Sequence, residues 1–345
     1  MAFPDGIADF RSDTVTRPTP TMRRAMADAE VGDDVYREDP TVTALQETAA
    51  GAVGMEAALF TPSGTMANQI AIHLHTRPGD GVVCVPTAHV RKYELGAAGA
   101  LSGVTFLVVD SDDATMTADA LDAALDPNGP YYDIRPGLLT WENTHNASGG
   151  TILPAEVMAK GSAFASEHEI PVHLDGARIW NASVAAATPV TEWSNHATSM
   201  MFCFSKGLGA PIGSMLCGPA AFIEEARRVR KRLGGGMRQV GVLAAAASAA
   251  FGDRDRLTED HDLARRLGEG IASRYPDAVD LGTVQTNMVR VGGDGLPHGA
   301  PAFHADLDAA GVKVGFAARD ALRFVTHRDV DGNDVDRVLA VLDSA

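Results

Sequence analysis

The stretch SMMFCFSKGLGAPIGSMLCG, residues 199–218, decides the fold, because two apolar runs flank a single lysine. The first run, SMMFCF, is apolar at nearly every position, which is typical of a strand covered on both faces. Only five residues, 207–211, separate Lys206 from the second run, IGSMLCG. This connection is too short for the helical crossover that parallel strands need. The stretch therefore predicts an antiparallel pair of strands with Lys206 at the turn.

Similar short apolar runs recur upstream, and segments with helical spacing separate them. The predicted strands are GVVCV (81–85), VTFLVV (104–109), GLLTW (137–141) and IPVHL (170–174). Between the last two, LPAEVMAKGSAFASEHE (153–169) has apolar residues at helical spacing, with Pro154 where a helix could begin. The alternation predicts an α/β fold with a mostly parallel sheet covered by helices.

The character of the sequence changes near residue 250. An Arg-rich helical segment, AFIEEARRVRKRL (221–233), ends at three glycines, and a small-residue helical segment, VGVLAAAASAAF (240–251), follows. Beyond it the chain carries charged helical patterns and short strands such as NMVRV and ALRFV. We expect an N-terminal arm with a large α/β domain over residues 1–250, and a smaller C-terminal α+β domain over residues 251–345.

Composition limits the classes of partner. The formal net charge of −16 argues against a broad nucleic-acid or anionic-membrane surface. The three cysteines form no CxxC pair, which argues against a disulfide framework and favours a reducing compartment. The N-terminus lacks the layout of a signal peptide, and no apolar run approaches the ~20 residues of a membrane helix. We expect a cytoplasmic protein that acts on small molecules.

Polar side chains follow four of the predicted strands. In chain order they are His89, then Glu142, Asn143 and His145, then Asp175 and Arg178, and finally Ser205 and Lys206. The carboxyl ends of parallel strands meet at one edge of a sheet, where ligands of open α/β sheets bind. We therefore expect these side chains to form a site at that edge.

Lys206 suggests the chemistry of the site. A lone lysine after a strand is most often solvated surface. Between an apolar strand and a small-residue turn, however, its amine can be desolvated and become a nucleophile toward a carbonyl. A Schiff-base cofactor such as pyridoxal phosphate also needs an acid for its ring nitrogen. Asp175 is the candidate acid, and capping of the next helix is the alternative.

A phosphate cradle is the second requirement of such a cofactor. Ser63, Gly64 and Thr65 precede a helical pattern, and a helix N-terminus favours phosphate. The same three residues would also make an ordinary helix cap. His89 could stack on the cofactor ring, although a histidine at a strand end is more often structural. The chain has no GxSxG, HExxH or GxxxxGK[ST] motif, and we expect no metal site.

Eight blocks of the sequence resemble, in the family's order, the low-specificity threonine aldolases. They are FRSDTVTRPT (10–19), VGDDVYREDPTV (31–42), PSGTMANQ (62–69), ENTHN (142–146), HLDGARIWNA (173–182), SKGLGAPIGS (205–214), GGGMRQ (234–239) and LRFVTH (322–327). The resemblance implies a pyridoxal-phosphate enzyme of fold type I, the aspartate-aminotransferase type. It also implies cleavage of L-threonine or L-allo-threonine to glycine and an aldehyde, in a homotetramer with active sites at subunit interfaces.

The resemblance implies a role for individual residues. Lys206 would form the Schiff base, Asp175 would hold the pyridine nitrogen, and His89 would stack on the ring and be a candidate base for the β-hydroxyl. The residues implied in cofactor binding are Ser63, Gly64, Thr65, His89, Asp175, Arg178, Ser205 and Lys206. Those implied in substrate binding are Ser12, Arg178 and Arg323. Lys231 and Arg238 would reach the cofactor site of a neighbouring subunit, and a solvated helix face is their alternative.

One departure from the family leaves alternatives open. Relatives often carry a second active-site histidine upstream of ENTHN, where this chain reads YYDIRPGLLTW and Tyr132 aligns with it. The base and the preference at the β-carbon are therefore open. A phenylserine-type aldolase, or another pyridoxal-phosphate lyase or aminotransferase of this fold, is the alternative. A non-catalytic protein on this fold would be expected to have lost Lys206.

Overall fold

The computed structural model describes residues 6–111, 114–125 and 129–343. Its strands are β1 (Ala8–Asp9), β2 (Ala57–Thr61), β3 (Gly81–Cys84), β4 (Thr105–Val108), β5 (Pro136–Glu142), β6 (Val172–Asp175), β7 (Ser199–Cys203), β8 (Ser214–Gly218), β9 (Met288–Gly292), β10 (Val312–Lys313), β11 (Gly315–Ala318) and β12 (Ala321–Val325). All the strands expected from apolar runs are present, each within a few residues of its predicted bounds.

The α-helices cover the sheet and form most of the C-terminal part. They are α1 (Pro20–Ala27), α2 (Pro40–Val53), α3 (Gly64–His75), α4 (His89–Lys92), α5 (Ala97–Ser102), α6 (Ala118–Leu125), α7 (Ala155–Glu167), α8 (Ile179–Ala186), α9 (Thr191–Ser194), α10 (Ala220–Arg232), α11 (Gly241–Gly252), α12 (Leu257–Ala272), α13 (Gly299–Ala309) and α14 (Gly332–Leu342). Among the described residues, none of these helices combines the length and the apolar character that a bilayer crossing requires.

A seven-stranded sheet with the strand order β2-β8-β7-β6-β5-β3-β4 forms the centre of the larger part. Strand β8 runs antiparallel to both of its neighbours, β2 and β7, and the remaining pairs are parallel. The α/β class, the mostly parallel sheet and the antiparallel pair around Lys206 are therefore confirmed. The parallel strands β3, β5, β6 and β7 bring their carboxyl ends to one edge, as the site requires.

Aromatic packing fixes the end of strand β7. Phe202 lies in edge contact with Trp180, with ring centroids 5.4 Å apart, and with Phe204, at 5.1 Å. Phe251, at the end of the alanine-rich helix α11, contacts the same rings. These residues are buried in the main hydrophobic core, so the backbone that leads into Ser205 and Lys206 is held by large apolar side chains.

The C-terminal part has a hydrophobic cluster of its own, which includes Phe303, Phe324 and Val335. Its sheet has the order β11-β12-β9 and is antiparallel. Strand β1 pairs in parallel with β10, and Phe10 packs in this cluster against Phe324. The N-terminal segment therefore packs against the C-terminal part. The expected domain boundary at residue 250 stays a prediction.

Candidate active site

The carboxyl edge of the large sheet opens on a cavity of about 260 Å³. Elements from the whole length of the chain contribute its walls. The lining residues are Ser12, Thr14, His89, Tyr93, Asn146, Ala147, Arg178, Lys206, Phe316, Ala317 and Arg323. The structure thus brings together five residues that the sequence placed in the site, namely Ser12, His89, Arg178, Lys206 and Arg323.

Lys206 lies in the turn that joins β7 to β8. The amide of Gly209 donates to the carbonyl of Lys206 over 2.8 Å, and the amide of Ala210 donates to that of Phe204 over 3.0 Å. Gly213 closes the turn at φ +112°, where a Cβ would collide with the ring of Phe60. The turn is therefore held on both sides, and the half-buried Lys206 side chain lines the cavity.

Asp175 is the last residue of β6 and is only 3% exposed. Its Oδ2 accepts from Asn68 Nδ2 over 2.8 Å, and its Oδ1 accepts from the amide of Ala177 over 3.1 Å. Asp175 does not cap the following helix, because the N-cap residue of α8 is Arg178. Together with His89 it lines a small pocket next to the cavity. A buried carboxylate next to the cavity is thus available to bind a hydrogen-bond donor of a ligand.

His89 begins helix α4 and contacts two carboxylates. Its Nδ1 lies 3.0 Å from Oε1 of the buried Glu94, and its backbone amide donates to Glu142 Oε2 over 2.8 Å. Burial opposes a charge on His89, yet the hydrogen bond with Glu94 and the charge of Asp175 raise its pKa above the usual value. His89 is therefore a stronger base than a free histidine.

One ligand atom each from His89, Glu94 and Asp175 lies within 4.8 Å of the others, a grouping that could hold a metal ion. Within the structure these atoms are engaged by hydrogen bonds instead. His89 Nδ1 contacts Glu94, and Asn68 donates to both carboxylates. The expectation that the protein has no metal site stays a prediction.

Arg178 and Asp13 form a buried, two-pronged ion pair. Arg178 Nε donates to Asp13 Oδ2 over 2.8 Å, and Nη2 donates to Oδ1 over 2.6 Å. Burial works against both charges, but each partner stabilises the other, so the pKa of Asp13 is lowered and that of Arg178 is raised. The charge of Arg178 is therefore already balanced within the protein.

Arg323 carries the positive charge that Asp13 does not balance. Its Nη1 donates to Asn146 Oδ1 over 2.7 Å, whereas its buried Nε has no partner among the described residues. Burial and the charge of Arg178 lower the pKa of Arg323. Two guanidinium groups thus line the cavity, and one buried carboxylate pairs with Arg178, an arrangement that favours an anionic ligand.

Helix α3 begins at the residues expected to hold phosphate. Ser63 is its N-cap and accepts from the amide of Met66 over 3.2 Å. At Gly64 a Cβ would lie 2.7 Å from Met201 Cε and 2.9 Å from Cys203 Sγ, so glycine lets this helix approach β7 closely. Ser63 and Thr65 are exposed. These residues and Ser205 are not among those that line the cavity.

The two residues expected to serve a neighbouring subunit do not line the cavity of their own chain either. Lys231 lies exposed in the last turn of α10. Arg238 follows the glycine turn, where its Nη1 pairs with Asp33 Oδ2 over 2.9 Å. By contrast, Arg230 of the same helix is buried against Asp34 and the Phe60 carbonyl, so this helix is not simply a solvated basic face.

Comparison with known proteins places this site in a family. The profile of the beta-eliminating lyases matches residues 9–293. Low-specificity L-threonine aldolase 1 of Arabidopsis thaliana is 41% identical over 342 residues, which are 98% of this chain and 96% of that protein. The low specificity L-threonine aldolase of Escherichia coli K12 is 40% identical over 336 residues, or 96% of this chain and 97% of that protein. The chain belongs to the low-specificity L-threonine aldolase family.

A solved threonine aldolase structure has the same fold. The threonine aldolase of Leishmania major superimposes with a TM-score of 0.84 at 19% sequence identity, over 98% of this chain and 99% of that one. The expected fold type I architecture is thereby confirmed.

Several residues at this aldolase-family site were not expected from the sequence. Asn68, Glu94 and Asp13 are buried around the predicted residues, and Tyr93, Asn146 and Phe316 line the cavity. Asn68 and Asp13 lie inside the blocks that carried the resemblance, but Glu94 follows none of the predicted strands and had no sequence signal.

The tyrosine pair that includes Tyr132, the residue expected to stand in place of a family histidine, lies apart from the cavity of its own chain. Tyr131 is 99% exposed and Tyr132 is 75% exposed, and their rings contact each other edge to face with centroids 5.4 Å apart. Neither is among the residues that line the cavity. Within one chain, His89 is therefore the histidine that lies with Lys206 at the site.

Proposed function

We propose that this protein is a lyase that cleaves L-threonine and L-allo-threonine, and related 3-hydroxy amino acids, to glycine and an aldehyde. One observation carries the proposal: in a chain of this family, the amine of Lys206, two arginines and His89 meet at one cavity, with the buried Asp175 directly behind it. An amine, an anion-binding pair and a base are the groups that retro-aldol cleavage of an amino acid requires.

The residues of the site fit pyridoxal 5'-phosphate as the cofactor. Helix α3 approaches β7 closely at Gly64. Its N-terminus, with the exposed Ser63 and Thr65, is open to a phosphate. Ser205 directly precedes Lys206 in the sequence. Asp175 would hold the proton on the ring nitrogen, and Lys206 would bond to the aldehyde carbon. When bound, the cofactor takes up the electron pair left on Cα when the Cα–Cβ bond breaks.

The remaining groups orient the amino acid and move one proton. Arg178, Arg323 and Ser12 would hold its carboxylate, so that the β-hydroxyl lies on the side of His89. His89 then takes the hydroxyl proton as the Cα–Cβ bond breaks and the aldehyde leaves. Return of a proton to Cα then releases glycine.

We also propose the setting in which this chain works. Following the family resemblance, the oligomer would be a homotetramer with active sites at subunit interfaces, where Lys231 and Arg238 would reach a neighbour's cofactor. The exposed position of Lys231 is compatible with such a role. The net charge of −16 and the unpaired cysteines fit a cytoplasmic enzyme that binds neither nucleic acid nor membrane.

A bulkier substrate is the second candidate, because two aromatic side chains flank the cavity. Tyr93 is 51% exposed and Phe316 is 49% exposed, and both line the cavity. Such rings can pack against an aromatic group on the β-carbon. A phenylserine-type aldolase would use the same lysine, acid and base.

Aldehyde release tests both candidates. Purified protein with pyridoxal phosphate is given L-threonine, L-allo-threonine or phenylserine, and the released aldehyde is measured. We expect acetaldehyde from one or both threonines, with an equal amount of glycine. Benzaldehyde alone would support the phenylserine type, and no aldehyde from any of the three would refute an aldolase.

A further inference from the structure

We propose that Glu94 is a positioning residue for His89: its buried carboxylate keeps the imidazole proton on Nδ1 and thereby makes Nε2 the basic atom that receives the substrate proton. This inference rests on the proposed function, because it names the atom through which His89 acts. Glu94 itself touches neither substrate nor cofactor in this proposal. It acts through the orientation and the protonation of the ring.

The hydrogen-bond partners of Glu94 make its carboxylate an acceptor. The residue is 3% exposed, and its side chain accepts from Asn68 Nδ2 over 2.9 Å and from Gln69 Nε2 over 2.6 Å. Both partners are amide NH₂ groups, which can only donate. Both carboxylate oxygens of Glu94 therefore act as hydrogen-bond acceptors. At the third contact, the 3.0 Å approach to His89 Nδ1, the hydrogen must therefore belong to the imidazole.

The orientation of Asn68 is fixed as well. Its Nδ2 faces two carboxylates, Glu94 at 2.9 Å and Asp175 at 2.8 Å, so both amide hydrogens are used. Its Oδ1 faces His173 Nε2 at 3.1 Å, and His173 Nδ1 lies 2.9 Å from the Ser199 hydroxyl. Burial lowers the pKa of His173 to about 4, so this ring is neutral and donates from Nε2. The buried side-chain amide of Asn68 thus links Glu94, the partner of His89, to Asp175.

The charges around His89 set its pKa. Glu94 and Asp175 raise it, while burial and the ammonium group of Lys206 lower it. Glu142 accepts from the backbone amide of His89, and the ring of Tyr93 lies 5.5 Å from the imidazole, centroid to centroid. Among the described residues, Glu94 is the one carboxylate hydrogen-bonded to the ring itself. Replacing it should change both the tautomer and the pKa of His89.

The tautomer can be measured directly. Full-length holoenzyme is labelled with ¹⁵N-histidine, and the His89 signals are assigned by their loss in His89→Asn. We expect neutral His89 to carry its proton on Nδ1. In Glu94→Gln the new amide group cannot accept from all three donors, so we expect a shift toward the Nε2–H form and a lower His89 pKa. An Nε2–H tautomer in the unaltered protein would overturn the proposal, even if the variant failed to fold.

Kinetics provide the second readout. In Glu94→Gln we expect kcat/KM to fall by about 100-fold, the low end of what a positioned general base contributes. The acid limb of its pH profile should move to lower pH, because that limb reports the base in the free enzyme. Glu94→Asp, which keeps the charge, should recover part of the loss. A pH profile that falls uniformly without a shift would contradict the proposal.

A matched control separates this effect from the loss of any buried carboxylate. Asp260 is fully buried and pairs with Arg256 away from the cavity. Asp260→Asn should leave the tautomer and the pKa of His89 unchanged, and a change there would refute a specific role for Glu94. Failure of the proposed function would be distinct, because the unaltered protein would then release no aldehyde whatever its tautomer.

Discussion

Two residues that face the cavity, Arg178 and Arg323, carry the same charge in different surroundings. Arg178 is only 6% exposed and pairs with Asp13, whereas Arg323 donates to the side-chain amide oxygen of Asn146. We infer that Arg178 is a rigid anchor and that Arg323 supplies the charge attracting the substrate carboxylate. Asp13 then acts as a structural counter-ion that holds the Arg178 guanidinium in a fixed orientation at the cavity wall.

Replacing Asp13 tests this division of roles. Asp13→Asn leaves a buried guanidinium without its counter-ion, so we expect the free energy of unfolding at pH 7 to fall by about 3 kcal/mol. Urea unfolding measures it. The control removes the carboxylate of Asp343, which pairs with Arg274 at the surface. This change should leave the free energy of unfolding unaltered within error. An unchanged urea midpoint for Asp13→Asn would contradict the role of Asp13.

The same pair makes stability depend on pH. Folding lowers the pKa of Asp13, so its contribution is fully present above the unfolded pKa, about 3.9, and is lost as the pH falls toward the depressed value. We therefore expect the stability difference between the unaltered protein and Asp13→Asn to shrink below about pH 4. A difference that stays constant from pH 6 to pH 3 would show that the charge of Asp13 contributes nothing.

Among the elements, the turn between β7 and β8 sets the position of Lys206. Gly213 adopts φ +112°, a backbone angle that residues with a Cβ rarely adopt. A Cβ there would also collide with the Phe60 ring. Gly213→Ala should therefore lower the free energy of unfolding by at least about 1–3 kcal/mol. Turnover should fall with it, because the strand ends that carry Lys206 would shift. Thermal unfolding and initial rates measure the two effects.

Gly51 offers a matched control for this substitution. It lies exposed within helix α2, and a Cβ there would meet nothing within 4 Å. Gly51→Ala should stabilise the protein by roughly 0.5–1 kcal/mol, because alanine favours the helix. Equal effects of the two substitutions would show that the turn is not strained against side chains.

The elements were predictable from the sequence, but much of the buried polar network was not. Apolar runs and a five-residue turn are local signals, and the strand-end rule located Lys206, Asp175, Arg178 and His89. Asp13 and Arg178, however, are 165 positions apart, and Asn68 and Asp175 are 107 apart. Hydrogen bonds between residues so far apart in the sequence leave no periodic pattern in it, so only the folded chain reveals them.

In the assembled oligomer, a mixing test can show whether Lys231 serves a neighbouring subunit. Lys206→Ala and Lys231→Ala should each be impaired alone, because each lacks one part of every site. Co-expression with different affinity tags yields mixed oligomers in which some sites combine an intact Lys206 with a neighbour's intact Lys231. We expect aldolase activity to reappear in those mixed oligomers.

The control for this test is another exposed cation of helix α10. Arg228 is 70% exposed, and Arg228→Ala should retain full activity on its own. If the mixed oligomers of the two lysine variants remain as impaired as the parents, Lys231 does not act across the subunit interface.

We propose that Lys206 is the amine that bonds to pyridoxal phosphate. Borohydride reduction of the protein with bound cofactor makes that bond permanent, and peptide mass spectrometry then locates it. We expect the pyridoxyl group on Lys206, in the peptide that contains MFCFSKGLGAPIG. A label on any other lysine, or no label on a protein that retains full aldolase activity, would contradict the assignment of Lys206.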